Sequence, residues 1–453
     1  MPWKRRGLGD LAGAMRATKA VDPLGTLARL FVLGVEVEER AAARALGPSG
    51  VDGWTGAGLL LRSGAGVVAR LRLFPVVFGD TELIVAYDVL GPAADADAVL
   101  GVGPTAEALA GLTIRVPSRR GLDLGCGGGI QALLLARHTE HVVATDLADR
   151  AVRYCRFTIA LNEVANIDCR LGDRFEPVEA EEFDIIVSNP PFVISPDRAL
   201  KFRDSGLPLD QMSRSIVQGA AAHLAPLGYA QVMACWPEVR GENWHERVHG
   251  WVAGSGCDAW ALQIERQSPD AYARRWLAHG AVVDPTAYNR WLDSYERSEI
   301  EGFGYGLVTL RRVSHRPPWW RHDEVPNVLS GNPAVGLRAG FESADWLLAH
   351  DSDAALLAAR LQVGQGARIE SWLRAEHGQW LPEHMALRQL AGLPFSGDVS
   401  PDVAALIARC DGTRALDDVL DDIEWPEARP AMSEVLAVVR ALIANSFLVP
   451  APD

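Results

Sequence analysis

The chain is almost without lysine: Lys4, Lys19 and Lys201 are the only three among 44 basic residues. So complete a preference for arginine reads as the codon usage of a GC-rich genome, and it is given no weight as a phosphate-binding signal. A positive balance is missing too. With 58 acidic residues the net charge is −14, which disfavours a broad nucleic-acid footprint and leaves room only for a local basic patch. No run of about 18 apolar residues occurs, so no membrane-spanning helix is expected. The opening MPWKRRGLGDLAGAMRATKA is basic but lacks the apolar core and small-residue cleavage site of a secretory signal, so export is not expected. Six cysteines, Cys126, Cys155, Cys169, Cys235, Cys257 and Cys410, lie far apart with no C-x-x-C pair. That excludes a zinc ribbon or a disulfide framework and fits a reducing cytoplasm. Internal repeats and low-complexity tracts are absent.

What is present is a chain of 453 residues, 48% hydrophobic and 23% charged, enough for roughly three globular domains. Residues 1–20 form a small basic patch. Asp22-Pro23 reads as a helix cap with a first-turn proline, opening an apolar helix that ends near Gly34; a second helix is expected over 36–46. Two β-like runs, VVARLRLFPVV and ELIVAYDVL, then flank Gly79-Asp80-Thr81. Helices followed by a hairpin suggest a winged-helix-like module over residues 1–112. From about Val116 strands alternate with helices, the signature of a parallel sheet covered on both faces. Seven strands are expected, at 121–124, 142–146, 167–171, 183–188, 230–236, 259–266 and 306–312, within a domain spanning 113–314 that carries a helical insertion at about 268–302. SHRPPWWRHDEVPNVLSGNP reads as a linker. Residues 315–453 are expected to be mainly helical, again resembling a winged-helix half. Ten acids against four arginines over 401–453 argue against nucleic-acid contact there.

Four elements carry chemistry. Gly125, Gly127 and Gly129 follow an apolar strand and precede a helix, so backbone can approach a ligand at the helix N-terminus. Their G-x-G-x-G spacing differs from the dinucleotide G-x-G-x-x-G. Asp146 ends the next strand, where a carboxylate can accept from two ribose hydroxyls. Gly172-Asp173 follows the third strand, and Asp173 can accept from an adenine amino group. Asp123, before the first glycine, can orient the amino-acid end of such a ligand. The fourth element, Asn189-Pro190-Pro191-Phe192, ends the fourth strand, where open α/β sheets place their ligands. An amide or aromatic amine is a poor nucleophile because its lone pair is delocalised. The Asn189 side-chain oxygen and the Pro190 carbonyl, accepting from its N–H groups, can localise that pair while Phe192 stacks on the planar group.

These motifs resemble those of class I S-adenosylmethionine-dependent methyltransferases of the N-P-P-[YF] type, the small-domain enzymes that methylate glutamine amides of translation proteins or amino groups of nucleic-acid bases. The resemblance covers residues 116–313, under half the chain. It implies a seven-stranded Rossmann-like α/β fold and S-adenosyl-L-methionine as cofactor. Donor binding would fall to Asp123, Gly125, Cys126, Gly127, Gly129, Asp146, Leu147, Gly172, Asp173 and Asn189. Catalysis and acceptor binding would fall to Asn189, Pro190 and Phe192, with Pro191, Lys201, Phe202 and Arg203 in a substrate loop. The extensions resemble those beside such domains in some bacterial proteins. Overall acidity favours a protein or peptide amide as acceptor; an RNA or DNA base is the alternative, and a small natural product a lesser one.

Two further features compete for attention. His245-Glu246-Arg247-Val248-His249 matches H-E-x-x-H, a zinc signature on a helix. Gly250 and Trp251 follow in place of a metzincin extension, and Trp244, Val248 and Trp251 at i, i+4 and i+7 claim a buried face. Both histidines therefore read as surface or satisfied core residues, and no metal is expected. Eight of the 14 tryptophans fall in 236–320, Trp276 and Trp291 inside the insertion. They read as core before they read as an aromatic platform.

Overall fold

The computed structural model describes residues 8–19, 22–89, 97–197, 206–278, 284–325, 332–425 and 430–452. Helix α1 (Leu8–Ala17) is followed by α2 (Pro23–Leu27), which Asp22 caps by accepting from Gly25 N at 2.6 Å. The chain runs on as one π-helical segment to Gly34, whose left-handed backbone ends it. Next come β1 (Val37–Glu38), α3 (Glu39–Leu46), α4 (Gly50–Gly56), β2 (Leu60–Ser63) and β3 (Gly66–Ala69), the strands ordered β1-β3-β2. The apolar run expected as one strand is cut at Arg70. Its first part is β3; its second is β4 (Leu71–Phe78), which pairs with β5 (Thr81–Asp88) in a separate two-stranded ribbon.

After α5 (Pro104–Leu112) the expected alternation is realised. Strands β6 (Ser118–Leu124), β7 (Thr139–Asp146), β8 (Ile167–Leu171) and β9 (Phe183–Ser188) are joined through α6 (Ile130–Leu135) and α7 (Asp149–Leu161). Then follow α8 (Gln211–Ala222), β10 (Leu224–Val239), α9 (Trp244–Val252), β11 (Cys257–Gln267), α10 (Pro269–Leu277), α11 (Pro285–Arg297) and β12 (Ile300–Arg312). The order is β13-β11-β12-β10-β9-β6-β7-β8, an eight-stranded sheet. Strand β12 runs antiparallel to both its neighbours, and β6 pairs in parallel with β7 on one side and β9 on the other. The order therefore reverses at β6 and β9, and the crevice beyond their C-terminal ends is where such sheets bind ligands. Leu122, Val143, Phe183, Ile186, Val232 and Trp236 fill the interior. This is a Rossmann-like α/β sheet, with one strand more than expected. The extra strand, β13 (Trp320–Glu324), lies in the stretch read as a linker. Prolines on its flank misled that reading, because an edge strand needs only one partner and tolerates them. Arg316 and Arg321 hold it there, the first on Asp258 and the second over the Trp260 ring at 4.1 Å.

Contacts divide the chain into Met1–Ala110 with Val116–Asp323, and Gly111–Arg115 with Glu324–Asp453. The residues expected to form a separate N-terminal domain, 1–112, thus share a compact unit with the sheet as far as Ala110. The cause is α7, whose Thr158 accepts from Ala86 N at 3.1 Å and whose C-terminal Asn162 bonds Ile84 in both directions. Asp88 completes the seam, accepting from Arg150 at 2.6 and 2.7 Å, from Tyr154 at 2.6 Å and from Val99 N at 2.8 Å.

The second unit contains α12 (Pro333–Ala349), α13 (Asp353–Ala358), β14 (Arg360–Val363), β15 (Ala367–Glu376), β16 (Gln379–Gln389), β17 (Ser396–Asp398), α14 (Pro401–Arg409), β18 (Asp411–Ala415), α15 (Leu416–Asp421), α16 (Met432–Ala444) and β19 (Leu448–Pro450). Leu361, Leu420, Leu436, Val439 and Leu448 anchor its core. The expectation of a mainly helical end overlooked the β15–β16 hairpin, which turns at His377-Gly378 with φ of 48° and 80°.

Burial pushes the Asp88 carboxyl up, but Arg150, Tyr154 and Val99 N–H together draw it below the ordinary carboxylate value. Its stabilising contribution is present above the unfolded pKa of about 3.9 and is lost as pH falls through the lower folded value. Because Arg150 is one-third exposed, Asp88→Asn should cost about 2 kcal/mol at pH 7 rather than the full penalty of breaking a buried pair. Urea denaturation should show that gap closing below about pH 4.

Candidate active site

A cavity of ≈ 290 Å³ opens at the C-terminal ends of β6, β7 and β9. Gly125 and Gly127 have φ of +77° and +51°, and a Cβ on either would meet nothing within 4 Å, so each turns its bare side to open space. Gly125 N and Cys126 N both donate to Thr145 O at 2.9 Å, which ties the turn to β7. Gly129 does not line the cavity. Its Cβ would lie 2.8 Å from Cys155 Sγ, so it is bare to let α7 pack, a correction to its expected place among ligand contacts. The overlooked Gly128 lines the cavity instead, under the Ala86 carbonyl of β5.

Asp146 holds the floor together. Its Oδ2 accepts from Gly127 N at 3.0 Å and its Oδ1 from Ala148 N at 2.9 Å, while its own carbonyl accepts from Gly172 N at 3.0 Å. Burial raises its pKa against those N–H groups. Asp123 is 1% exposed, accepts from Ala132 N at 2.8 Å, and is pushed up to about 7 by burial, with Ala132 N–H opposing and the Asp146 charge adding. It braces the start of α6 at the cavity's rear. Leu147, Gly172 and Asp173 reach the rim, where Asp173 pairs with Arg174 at 3.0 Å.

Ser188 fastens the end of β9 to β6 by donating to Leu124 O at 2.8 Å. Beside it, Asn189 Nδ2 donates to Thr105 Oγ1 at 3.3 Å, whereas Asn189 Oδ1 is buried with no partner among the described residues. Pro190 and Pro191 line the cavity. Phe192 does not; it lies against Tyr305 (centroids 5.3 Å) and Trp276 (6.4 Å). The sequence reading missed the roof, which is Val85 and the segment Asp97–Thr105. Its run Val99-Leu100-Gly101-Val102-Gly103 follows neither helical nor strand periodicity, and only Pro104 at a helix start marks it. Lys201, Phe202 and Arg203 lie outside the described residues.

The H-E-x-x-H run lies on α9, as expected. His245 stacks on His322 (centroids 4.2 Å, 7° between planes) and His249 on Trp320 (5.2 Å). Among the described residues no three ligands converge on a metal-sized point, and no helix is long and apolar enough to cross a membrane.

The two glycines separate experimentally. Gly129→Ala should lower Tm by several degrees through the clash with Cys155. Gly125→Ala should weaken S-adenosyl-L-homocysteine binding at least about 10-fold, because the new methyl and the strained φ both fall at the cavity. Calorimetric titration with thermal melts of both variants checks the contrast.

Residues 105–234 match the family model "Methyltransferase small domain", and residues 6–70 and 338–450 match two domains of unknown function, DUF7059 and DUF7782. Ribosomal RNA small subunit methyltransferase C of Idiomarina loihiensis is 34% identical over 129 residues, 27% of this chain and 35% of that protein. Release factor glutamine methyltransferase of Aliivibrio fischeri is 40% identical over 86 residues, 18% of this chain and 30% of that protein. The chain thus spans about a third of these relatives' length. A solved methyltransferase from Pyrococcus furiosus aligns with 50% of this chain and 90% of its own at 15% identity, with a TM-score of 0.30. Over residues 105–234 the chain is thus similar to small-domain methyltransferases, which supports S-adenosyl-L-methionine as cofactor.

Proposed function

We propose that the protein is an S-adenosyl-L-methionine-dependent N-methyltransferase acting on a planar amide nitrogen of a protein or peptide. The carrying observation is Asn189 Oδ1, a buried acceptor with no partner among the described residues, on a residue that lines the cavity. A lone buried acceptor is unfavourable unless an incoming N–H satisfies it. Thr105 anchors the other end of the carboxamide, accepting from Asn189 Nδ2 at 3.3 Å.

The cavity suits the donor: its volume is that of a small cofactor site, with bare backbone at Gly125 and Gly127 and a carboxylate at its floor. When bound, S-adenosyl-L-methionine supplies an electrophilic methyl group on a sulfonium sulfur. Asp146 would accept from its ribose hydroxyls, Asp173 from its adenine amino group, and Asp123 would steady its amino-acid end through the α6 turn. Asn189 Oδ1 and the Pro190 carbonyl accept from the substrate N–H groups and localise the nitrogen lone pair. Phe192 borders the acceptor's side of the site.

For the acceptor, the placement of the arginines supports a protein amide. Arg119 and Arg120 lie near the start of β6, roughly 16–20 Å of strand away from Gly125, and Arg120 is paired with Glu181. Both thus stand at the end of the sheet opposite Asn189, and other basic residues expected to line such a groove, in 1–7 and at Lys201 and Arg203, lie outside the described residues. A nucleic-acid base is the second reading, favoured by the relative named for ribosomal RNA. Helices α2–α4 with the β1-β3-β2 sheet fit a winged-helix module, to which we assign acceptor recognition, and six free buried thiols fit a cytoplasmic location.

Tritiated methyl transfer to fractionated extract of a strain lacking the protein tests this. Label should enter the protein fraction, and Asn189→Ala should reduce it at least about 100-fold. Equal labelling by that variant removes Asn189 from the mechanism.

A further inference from the structure

In the C-terminal unit the β15–β16 hairpin extends past the core that anchors it. Ala367 and Leu387, at its base, pack into that core, and Ile369, opposite Leu387, lies on the same face. Further out, Leu373 and Trp380 carry this face into solvent, 50% and 69% exposed. A two-stranded ribbon with its apolar face uncovered is marginal by itself.

Its outer edge is open as well. The sheet order is β15-β16-β17, so among the described residues β15 pairs on one side only over its ten residues. The register with β16 shifts after Trp372, where Glu383 is the extra residue, so the bulge belongs to β16 and β15 keeps its regular alternation. Charges on such an edge ordinarily discourage pairing. Here they are ordered: the face of β15 opposite Leu373 reads Arg368, Glu370, Trp372, Arg374, Glu376, with opposite signs at equal distances either side of Trp372.

Two β15 strands running antiparallel about a two-fold axis at Trp372 set Arg368 against Glu376 and Glu370 against Arg374, each twice. On the other face Leu373 then lies diagonally beside Leu373 and Ile369 of the second copy, so the two apolar faces become one. No neighbouring register does this. A slip of two residues sets Arg368 against Arg374 in one direction and Glu370 against Glu376 in the other, and a slip of one turns the charged face onto the apolar one. Arg368 has its charge to offer, since it donates only to carbonyls, Ala367 O at 2.7 Å and Gln365 O at 3.4 Å. Glu376 holds Arg374 at 3.0 Å and Glu370 holds Arg388 at 2.5 Å, exposed pairs whose carboxylates keep acceptor capacity for a second guanidinium.

We propose that β15 is a dimerisation edge: a second copy of this chain adds antiparallel across it, centred on Trp372, and joins the two hairpins into one continuous sheet. Nothing in this pairing depends on methyl transfer.

Sedimentation velocity of the full chain from about 1 to 100 µM tests it, with thermal melts of each variant at the lowest concentration. The wild type should pass from one to two chains per particle across that range, as a small strand-edge interface associates weakly. Arg368→Glu sets two acidic pairs on the axis and Glu376→Arg two basic ones. Each alone should weaken dimerisation at least about 10-fold with Tm unchanged, neither side chain being buried. An equimolar mixture of the two variants should dimerise about as tightly as the wild type, because each then presents the charge the other lacks. A wild type that stays single throughout overturns the proposal and leaves the edge to a foreign strand. Variants that dimerise like the wild type, or a mixture that stays as dissociated as its components, overturn the pairing and its register.

Discussion

The Asp146 carboxylate is the constraint on which the site depends. One oxygen accepts from Gly127 and the other from Ala148, so a single side chain closes the glycine turn after β6 onto the loop after β7. Left-handed backbone at Gly125 and Gly127 costs glycine least, and it persists because these bonds and Thr145 O define the turn. Burial disfavours the carboxylate charge, and the backbone N–H groups of Gly127, Leu147 and Ala148 oppose that effect.

A second constraint acts from above. The roof over the cavity is contributed by chain preceding the α/β sheet, and it stays there because Asp88 joins β5, α7 and Val99 in one buried cluster. A side chain at Gly128 would crowd that ribbon, because the Ala86 carbonyl oxygen lies 2.9 Å from where its Cβ would be. The N-terminal ribbon is thus a structural part of the donor cavity, and an isolated sheet domain cut at residue 113 would lack its lid.

Much of this was legible in the sequence, and for local reasons. Strand-end glycines and acids declare themselves because each sits at a fixed offset from an apolar run, and all seven expected strands formed where that alternation was clear. What escaped depended on partners distant in sequence. Strand β13 is polar and proline-flanked, and it becomes a strand by pairing with β11, whose Asp258 and Trp260, some 60 residues earlier, hold its arginines. The roof segment has no period to read. Gly129 matched the motif but serves Cys155, since spacing alone cannot tell a glycine that admits a ligand from one that admits a helix. The insertion's tryptophans likewise divide by tertiary place: Trp291 is fully buried, while Trp276 borders a small recess beside Phe192.

The account stands on Asp146 acting both as the brace of the turn and as the ligand's acceptor. Calorimetric titration of S-adenosyl-L-homocysteine into the wild type and Asp146→Ala tests that most directly. The account predicts one site per chain in the wild type and affinity at least about 10-fold weaker in the variant. Equal affinity in the two proteins, or no binding to the wild type, would contradict it.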